Sequence, residues 1–288
     1  MTSPSVKLAW ATDIHLDHSD PDRTMEFLHA IKASPCDGVL LSGDMSNAVR
    51  FEDDLTMIAD ALDKPVYFVL GNHDYYGGSI AEVRRIARNI TSSRMNWVAG
   101  GGCIEIAPGV GLVGNGGWGD AQFGNCENTP VMLTDYFVIA ELKDVYDREN
   151  DDMSLRPQPA LKEKLRALGR EAAEDLRPQL MEAADRFSQV IVLTHVPPFK
   201  EAAWHEGGHS SDDWLPGFSC KAVGEELVKV AEAHAGTTFT VLCGHTHGGG
   251  FARVLPNLVV HTQAAEYGSP GFLVVKVGSE GIRVNSQG

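Results

Sequence analysis

The sequence lacks the marks of a secreted or membrane protein. Its five cysteines include no CxxC pair, and an odd count without that spacing indicates free thiols in a reducing compartment and not a disulfide framework. No apolar run is long enough to span a bilayer. Residues 1–13 have no basic start, long apolar stretch or small-residue cleavage site, so they are typical of a first strand and not of a signal peptide. We expect a cytoplasmic protein that does not enter a membrane.

Positive charge is also scarce. The chain has 24 Lys and Arg residues against 39 Asp and Glu, which gives a formal net charge of -15. Such a surface repels a polyanion, which disfavours a protein built to coat duplex nucleic acid. A small phosphorylated substrate is compatible with this charge, because bound divalent cations reverse the local sign at a site. The composition indicates no oligomeric state.

Short apolar runs and helical patterns alternate along the first half of the chain. Runs rich in Val and Leu predict buried strands at 6–13, 38–44 and 66–71. Asp20 as N-cap with Pro21 at the first helical position opens one helix, and others are predicted at 51–62 and 79–89. This alternation indicates an α/β fold built from βαβ units.

The second half of the chain ends mostly in strands. After a strand at 110–114, the pattern predicts a helix over 159–187 that breaks near Pro178, a strand at 189–194 and a helix at 221–235. Further strands are predicted at 237–243, 251–254, 258–262, 272–277 and 282–284. No repeat or flexible linker divides the chain, so we expect a single domain over 1–288. A surface insertion at about 119–158 is either a lid beside the site or a solvated loop.

Polar side chains follow the predicted strands at the points where the strands end. Singly, each has an ordinary explanation, because Asp is common in turns and a lone His is more often a polar residue than a ligand. The carboxyl ends of strands in an open α/β sheet, however, share the edge where ligands bind. Five strand ends together deliver to that edge Asp13, His15, Asp44, Asn72, His73, Asp74, His195, His245 and His247.

The chemistry of these side chains predicts a metal centre. Carboxylate, carboxamide and imidazole groups together suit divalent Mn, Fe or Zn, and the lack of cysteine among them argues against a structural zinc site. The candidate ligands are seven: Asp13, His15, Asp44, Asn72, His195, His245 and His247. Seven ligands are too many for one tetrahedral ion. Two ions roughly 3.5–4 Å apart would use them if one carboxylate is shared, and such a pair is a common device for displacement at phosphorus. We expect two divalent or mixed-valence metal ions and a small phosphorylated substrate.

The motifs that carry these residues resemble those of the calcineurin-like metallophosphoesterase superfamily. They occur in the family's order over most of the chain: Asp13-Ile14-His15, Gly43-Asp44, Gly71-Asn72-His73-Asp74, Thr194-His195 and Gly244-His245-Thr246-His247. The resemblance implies a four-layer α/β/β/α sandwich, in which two packed mixed sheets are flanked by helices. It also implies a phosphoric ester hydrolase in which a hydroxide activated by two metal ions attacks phosphorus directly.

The resemblance also implies a role for each motif residue. One metal ion would be held by Asp13, His15 and His247, and the other by Asn72, His195 and His245. Asp44 would bridge the two ions. His73 would be the histidine that is not a ligand, and would contact the phosphoryl group and help the leaving oxygen depart.

Two positions depart from many members of the family. Asn47, three residues after Asp44, stands where relatives place a carboxylate that orients the motif histidine, so the support of His73 falls to another group such as Asp74. Ala48 stands where protein Ser/Thr phosphatases of the superfamily carry an arginine that grips phosphate. A phosphoprotein phosphatase is therefore disfavoured.

Aromatic and histidine residues outside the motifs are candidates for the substrate site. Trp118, Tyr75 and Tyr76 could form a wall of the site, with plain core packing as the alternative. His205 and Trp214 lie in the loop after His195 and could contact substrate or be simply exposed. Trp and Tyr rings stack on nucleobases, which makes a nucleotide or cyclic nucleotide a candidate substrate.

Three other functions fit parts of the sequence. A nuclease acting on phosphodiester strands would share the metal motifs, but the negative net charge counts against it. A non-catalytic scaffold of the same fold would have lost ligands, whereas every expected position, including His73, is filled. An unrelated metal hydrolase of peptides or lactams is the least favoured, because HExxH and a compact HxHxDH cluster are both absent.

Overall fold

A computed structural model of the chain describes residues 5–149, 157–278 and 281–285. The strands described there are Val6–Ala11 (β1), Gly38–Ser42 (β2), Val66–Val69 (β3), Met95–Trp97 (β4), Ile104–Ala107 (β5), Val110–Gly114 (β6), Gln189–Leu193 (β7), Trp204–His205 (β8), Gly208–His209 (β9), Thr238–Cys243 (β10), Gly250–Leu255 (β11), Leu258–Thr262 (β12), Leu273–Gly278 (β13) and Gly281–Asn285 (β14). The α-helices are Pro21–Ala33 (α1), Phe51–Ala61 (α2), Ile80–Ile90 (α3), Asp135–Val138 (α4), Ala140–Glu149 (α5), Pro159–Arg186 (α6), Leu215–Phe218 (α7) and Lys221–Ala233 (α8).

Most of the strands form two mixed six-stranded sheets. The first has the order β14-β13-β1-β2-β3-β4, and the second the order β11-β12-β10-β7-β6-β5. In the first sheet β1 to β4 are parallel, and β13 pairs antiparallel with β1, with Val6 opposite Val277. In the second sheet β6, β7, β10 and β12 are parallel, and β5 and β11 are antiparallel edges. Five of these parallel strands, β1, β2, β3, β7 and β10, lead into the site described below.

The hydrophobic pattern of the strands explains the layers. Side chains alternate between the two faces of a strand, and both faces of β1 are apolar. Leu8 and Trp10 pack between the sheets, whereas Ala9 and Ala11 pack against the helices outside the first sheet. The outer face of the second sheet is covered by α6 and α8, which contribute leucines and valines to a separate core cluster. The predicted four-layer α/β/β/α sandwich is therefore confirmed.

Helix α1 begins where the sequence predicts. The Asp20 carboxylate accepts the backbone N–H of Asp22, and Pro21 occupies the first turn, where a missing N–H costs nothing.

The predicted break near Pro178 is wrong, because α6 runs without interruption from Pro159 to Arg186. Proline removes the bond to the carbonyl of Glu174, but Pro178 and Glu174 both lie on the solvent side of the helix. Leu176 and Leu180 on the opposite side are fully buried. Their burial holds the helix together across the missing hydrogen bond.

The segment predicted as an insertion at about 119–158 contains α4 and α5, and its residues 150–156 lie outside the described part of the chain. The backbone of α4 and α5 is tied to the loop after β3, since Gly77 N–H donates to the Val138 carbonyl and Ala140 N–H to the Gly78 carbonyl, both at 3.0 Å. Among the described residues, no helix combines the length and the apolar character needed to cross a membrane.

Candidate metal centre

The loops after five parallel strands meet at one edge of the sandwich. The first sheet supplies Asp13 and His15 after β1, Asp44 after β2 and Asn72 after β3. The second sheet supplies His195 after β7 and the pair His245 and His247 after β10. The two sheets are joined there, because the His245 N–H donates to Asp13 Oδ2 at 3.0 Å. The structure thus brings together all seven side chains that the sequence predicts as ligands.

The backbone at this edge is strained. Positive φ angles occur at seven described residues other than glycine, and five of them are predicted ligands: Asp13 (50°), His15 (39°), Asp44 (52°), His245 (70°) and His247 (59°). A side chain in this left-handed region costs about 1 kcal/mol or more and persists only where the surroundings enforce it. Strain concentrated in this way is typical of a functional site.

One group of donor atoms is formed by Asp13, His15 and His247. His15 Nε2 lies 3.3 Å from His247 Nε2, and His247 Nε2 lies 3.4 Å from Asp13 Oδ1. The ring of His15 is fully buried, and its Nδ1 has no hydrogen-bond partner among the described residues. Two imidazole nitrogens and a carboxylate oxygen therefore converge on one point.

A second group is formed by Asn72, His195 and His245. His195 Nε2 lies 3.0 Å from Asn72 Oδ1 and 3.2 Å from His245 Nδ1. Asp44 stands between the groups, since its Oδ2 lies 3.3 Å from His195 Nε2 and 3.9 Å from His15 Nε2. Asp44 is the one residue of the set that reaches both groups.

Hydrogen bonds fix which ring nitrogen faces the centre. His195 Nδ1 lies 2.9 Å from the Ser42 carbonyl, and His245 Nε2 lies 2.9 Å from the Gly217 carbonyl. Because a carbonyl only accepts, each of these nitrogens carries a proton, and the other ring nitrogen faces the centre, where it can bind a cation once it is unprotonated. Histidines that bind metal ions are commonly held in this way by a carbonyl.

Burial and the carboxylates shift the titration of these groups. Burial lowers the pKa of His15 to about 4, and burial beside His195 lowers the pKa of His245 to about 4. Both rings are thus neutral at pH 7, as ligands must be. Burial opposes a charge on His195 too, but the Asp44 carboxylate raises its pKa to about 9. Asp44 keeps a pKa well below its ordinary value despite its burial, because His195 and His73 lie close to it.

The donor atoms fit a pair of divalent cations. Bonds of about 2.0–2.2 Å from a cation to nitrogen or oxygen place neighbouring ligand atoms about 3 Å apart, and the donors of each group are separated by 3.0 to 3.4 Å. The described residues include three overlapping clusters able to hold an ion: Asp13 with His15 and His247, Asp44 with His195 and His245, and Asp44 with His15 and His73. The arrangement of donor atoms is therefore that of a dinuclear site for divalent metal ions.

His73 lies at the mouth of the centre. Its backbone N–H donates to Asp44 Oδ1 at 2.8 Å, and its ring stacks on Tyr76 with centroids 4.1 Å apart. Its Nε2 lies 3.4 Å from the hydroxyl of Tyr267, and its Nδ1 has no described partner. Proximity alone does not separate His73 from the ligands, since it also lies within reach of His15 and Asp44.

Asn47, at the family's supporting position, and Asp74, the expected substitute, both make their hydrogen bonds to groups other than the His73 ring. The Asn47 amide donates to Asp17 Oδ2 at 3.1 Å, and its oxygen accepts the N–H groups of Val49 and Arg50. The Asp74 carboxylate is fully buried and accepts four backbone N–H groups, from Gly71, Asp44, Met45 and Ser46, at 2.8 to 3.1 Å. Asp74 therefore joins the loops after β2 and β3, and the expectation that it supports the His73 ring is replaced by this role.

The structure separates the other predicted candidates. Trp118 is 4% exposed and packs against Tyr75 in the hydrophobic core, which is the core-packing alternative and not the site wall. Its apolar ring is more stable among core side chains than in a polar cleft. His205 does reach the site, where it lines the cleft and its Nδ1 donates to the Thr246 carbonyl at 3.1 Å.

Two residues of the site were missed from the sequence. Asp135 at the start of α4 is 4% exposed, and its Oδ1 accepts the amide N–H of Asn72 at 2.9 Å and the hydroxyl of Tyr76 at 2.6 Å. This contact turns the Asn72 oxygen toward His195. Tyr267 covers the first group of donors, with its ring 4.4 Å from His15 and 4.9 Å from His247. Neither residue belongs to a motif, and no pattern in the surrounding sequence marks either of them.

A cleft of about 260 Å³ opens over the centre. Four of the predicted ligands line it: Asp44, Asn72, His245 and His247. Its aromatic wall consists of Tyr76, His205, Trp214, Phe218 and Tyr267. None of its fourteen lining residues is Lys or Arg, and Asp135 adds a carboxylate. The cleft therefore offers flat apolar surfaces and the centre itself, without a cationic side chain.

Comparisons with known proteins agree on the fold. A dimetal phosphatase from Danio rerio is 14% identical, with a TM-score of 0.59 over 95% of this chain and 93% of that one. The phosphopantetheinyl hydrolase of Mycobacterium tuberculosis is 15% identical, with a TM-score of 0.57 over 92% and 90%. GAP50, the anchor in the inner membrane complex of Plasmodium, is 11% identical, with a TM-score of 0.50 over 97% and 83%. At such identities these likenesses show the fold alone.

Sequence comparison identifies the family. No curated protein sequence matches the chain significantly. The family profile described as calcineurin-like phosphoesterase matches residues 6–249, which include every motif of the centre. The chain therefore belongs to the calcineurin-like phosphoesterase family.

Proposed function

We propose that the protein hydrolyses phosphate esters of small molecules, a phosphomonoester or a phosphodiester such as a nucleotide, in the cytoplasm. The observation that carries this proposal is the convergence of two donor groups on a shared carboxylate, Asp44. Two divalent cations at such a centre, Mn, Fe or Zn by the chemistry of the donors, would lower the pKa of a water molecule and neutralise charge on the phosphoryl oxygens.

The residues of the chain have distinct roles in this proposal. Asp13, His15 and His247 hold one cation, Asn72, His195 and His245 hold the other, and Asp44 binds both. The carbonyls of Ser42 and Gly217 keep His195 and His245 in the tautomers that ligation requires. The family and the distances between donor atoms support these assignments.

His73 acts on the phosphoryl group in the proposal. Its ring is held by Tyr76 at the mouth of the centre, with its backbone tied to Asp44. From there it can donate a proton to the departing oxygen or stabilise charge on the phosphoryl group.

The alternatives receive less support. A nuclease needs cationic side chains to follow a strand, and the cleft is lined by none. A scaffold would not need the strained backbone at five ligand positions, which costs stability.

The experiment that tests the proposal combines metal analysis with enzyme assays. Purified protein should contain two metal ions per chain, and should hydrolyse at least one of an aryl phosphomonoester, an aryl phosphodiester and a cyclic nucleotide. Protein that takes up one ion at most, or that binds two ions and hydrolyses none of these substrates, would contradict the proposal.

Replacing His73 should separate catalysis from metal binding. We expect His73→Ala to keep both metal ions and to lower kcat by about 10²-fold, because a proton donor contributes on that scale and the ligands are untouched. Metal content and kcat measured on the same preparation check this. His29→Ala, on the exposed face of α1, is the matched control and should behave like the unaltered protein. Loss of a metal ion in His73→Ala would instead make His73 a ligand.

Replacing Asp135 should selectively weaken the binding of the metal ion that Asn72, His195 and His245 would hold. Without its carboxylate the Asn72 amide is free to rotate, and we expect Asp135→Ala to bind the second ion about 10- to 100-fold more weakly, as is typical when a group that orients a ligand is lost. Titration of metal-free protein with Mn²⁺ checks this, with the exposed Asp144→Ala on α5 as control. Two unchanged binding steps in Asp135→Ala would show that Asn72 needs no such support.

A further inference from the structure

The cleft over the metal centre carries information about the charge of the substrate. Its fourteen lining residues include no Lys or Arg, while Asp135 brings a nearly buried carboxylate to one side. No Lys or Arg side chain lines the cleft to neutralise a second negative charge on the substrate, and the Asp135 carboxylate opposes one. A phosphodiester carries a single negative charge, whereas a phosphomonoester carries about −1.5 to −2 at pH 7, so the lining favours the diester.

The position of Asp135 strengthens this selection. Its Oδ1 is occupied by Asn72 and Tyr76, so the group is fixed in place beside the second group of donors. A substrate oxygen that turns toward Asp135 meets a fixed negative charge, which repels a second anionic oxygen. An ester substituent in the same place carries no charge and meets no such repulsion.

The aromatic wall indicates what the ester substituent is. Trp214 and Phe218 stack with centroids 4.9 Å apart at an interplanar angle of 26°, and His205 lies 5.3 Å from Trp214. Tyr267, whose ring lies over His15 and His247, is 49% exposed. Aromatic side chains that face a cleft bind flat aromatic groups of a ligand by stacking, and this stacking depends little on which aromatic group the ligand carries. The cleft is smaller than the roughly 300–1,000 Å³ of most ligand sites, which favours a compact molecule over a strand.

We propose that the substrate is a small phosphodiester with one negative charge and a flat aromatic group that stacks on Trp214. This inference rests on the proposed function, because it specifies the ester that the centre cleaves. In the reaction, the oxygen of water forms a new bond to phosphorus and one P–O ester bond breaks. The released alcohol takes up a proton, and a phosphomonoester remains.

Paired substrates test the charge selection. Metal-loaded protein should hydrolyse bis(p-nitrophenyl) phosphate with a kcat/KM at least about tenfold higher than that for p-nitrophenyl phosphate. Hydrolysis in which the monoester is preferred would overturn this inference and leave the proposed function standing. Hydrolysis of neither ester, nor of cyclic AMP, would count against both.

Binding measurements provide a readout other than turnover. Thr134 lines the cleft and makes no side-chain cap to α4, so Thr134→Lys adds a cation there, and Thr134→Gln is its uncharged control. In the slow His73→Ala background, calorimetry should show that Thr134→Lys binds the monoester at least about tenfold more tightly, with a smaller change for the diester. Trp214→Leu should weaken diester binding about tenfold. Equal affinities for the monoester in Thr134→Lys and Thr134→Gln, or unchanged diester affinity in Trp214→Leu, would overturn the inference.

Discussion

Asp44→Ala should lose one of the two metal ions and nearly all turnover. Among the seven predicted ligands, Asp44 is the one within reach of both donor groups, with its Oδ2 3.3 Å from His195 Nε2 and 3.9 Å from His15 Nε2. Its other oxygen accepts the backbone N–H of His73, so its removal also frees the loop that carries the proposed proton donor. We expect kcat/KM to fall by about 10⁴-fold, the scale seen when one member of a catalytic unit is removed.

The measurement is metal content by mass spectrometry together with kcat/KM for the best substrate. Asp44→Asn is the informative companion, because Asn tolerates the left-handed backbone at this position, where φ is 52°. If metal content falls in both Asp44→Asn and Asp44→Ala, the cause is the lost negative charge. If it falls only in Asp44→Ala, the cause is the change in backbone conformation at this position. Full occupancy of both ions in Asp44→Ala would remove the central assignment of the proposed function.

Asp74→Ala should be the most destabilising single change at the site. Its carboxylate accepts four backbone N–H groups from the loops after β2 and β3 and is completely buried. A buried donor left without an acceptor costs about 1–3 kcal/mol, so we expect a loss of about 4 kcal/mol even if water reaches some of the four. That is a large part of the 5–15 kcal/mol by which a typical domain is stable.

Denaturant unfolding of the metal-free protein measures this loss without interference from the metal ions. Asp63→Ala, the same substitution at an exposed position, is the control and should stay within about 0.5 kcal/mol of the unaltered protein. An Asp74→Ala protein as stable as Asp63→Ala would show that the two loops are held by other contacts.

The sequence predicts the strands well and their ends less well. The first strand is predicted to reach residue 13 and the second residue 44, but β1 ends at Ala11 and β2 at Ser42. The chain leaves the sheet earlier because Asp13, Gly43 and Asp44 adopt positive φ angles, which a strand cannot contain. A hydrophobic run in the sequence indicates which residues are buried and not where the strand ends. The residues after β1 and β2 are buried because they form the site, and not because they belong to the sheet.

The motif residues could be found from the sequence because each follows a strand whose end is visible in the hydrophobic pattern. Their individual roles rest on the family resemblance and stay a proposal. Asp135 could not be found in this way, because its contact with Asn72 spans 63 residues and depends on where α4 packs. For Trp118 the sequence leaves the site wall and the core both open, since nothing in its neighbours distinguishes a core position from a cleft.

The pairing of β13 with β1 has a consequence for synthesis of the protein. Val6 lies opposite Val277, so β1 leaves the ribosome well before β13, its antiparallel neighbour, has been made. At about 5–20 residues per second, that interval lasts on the order of tens of seconds. Through it β1 presents an unpaired apolar edge, and aggregation of nascent chains is therefore the hazard that this topology carries.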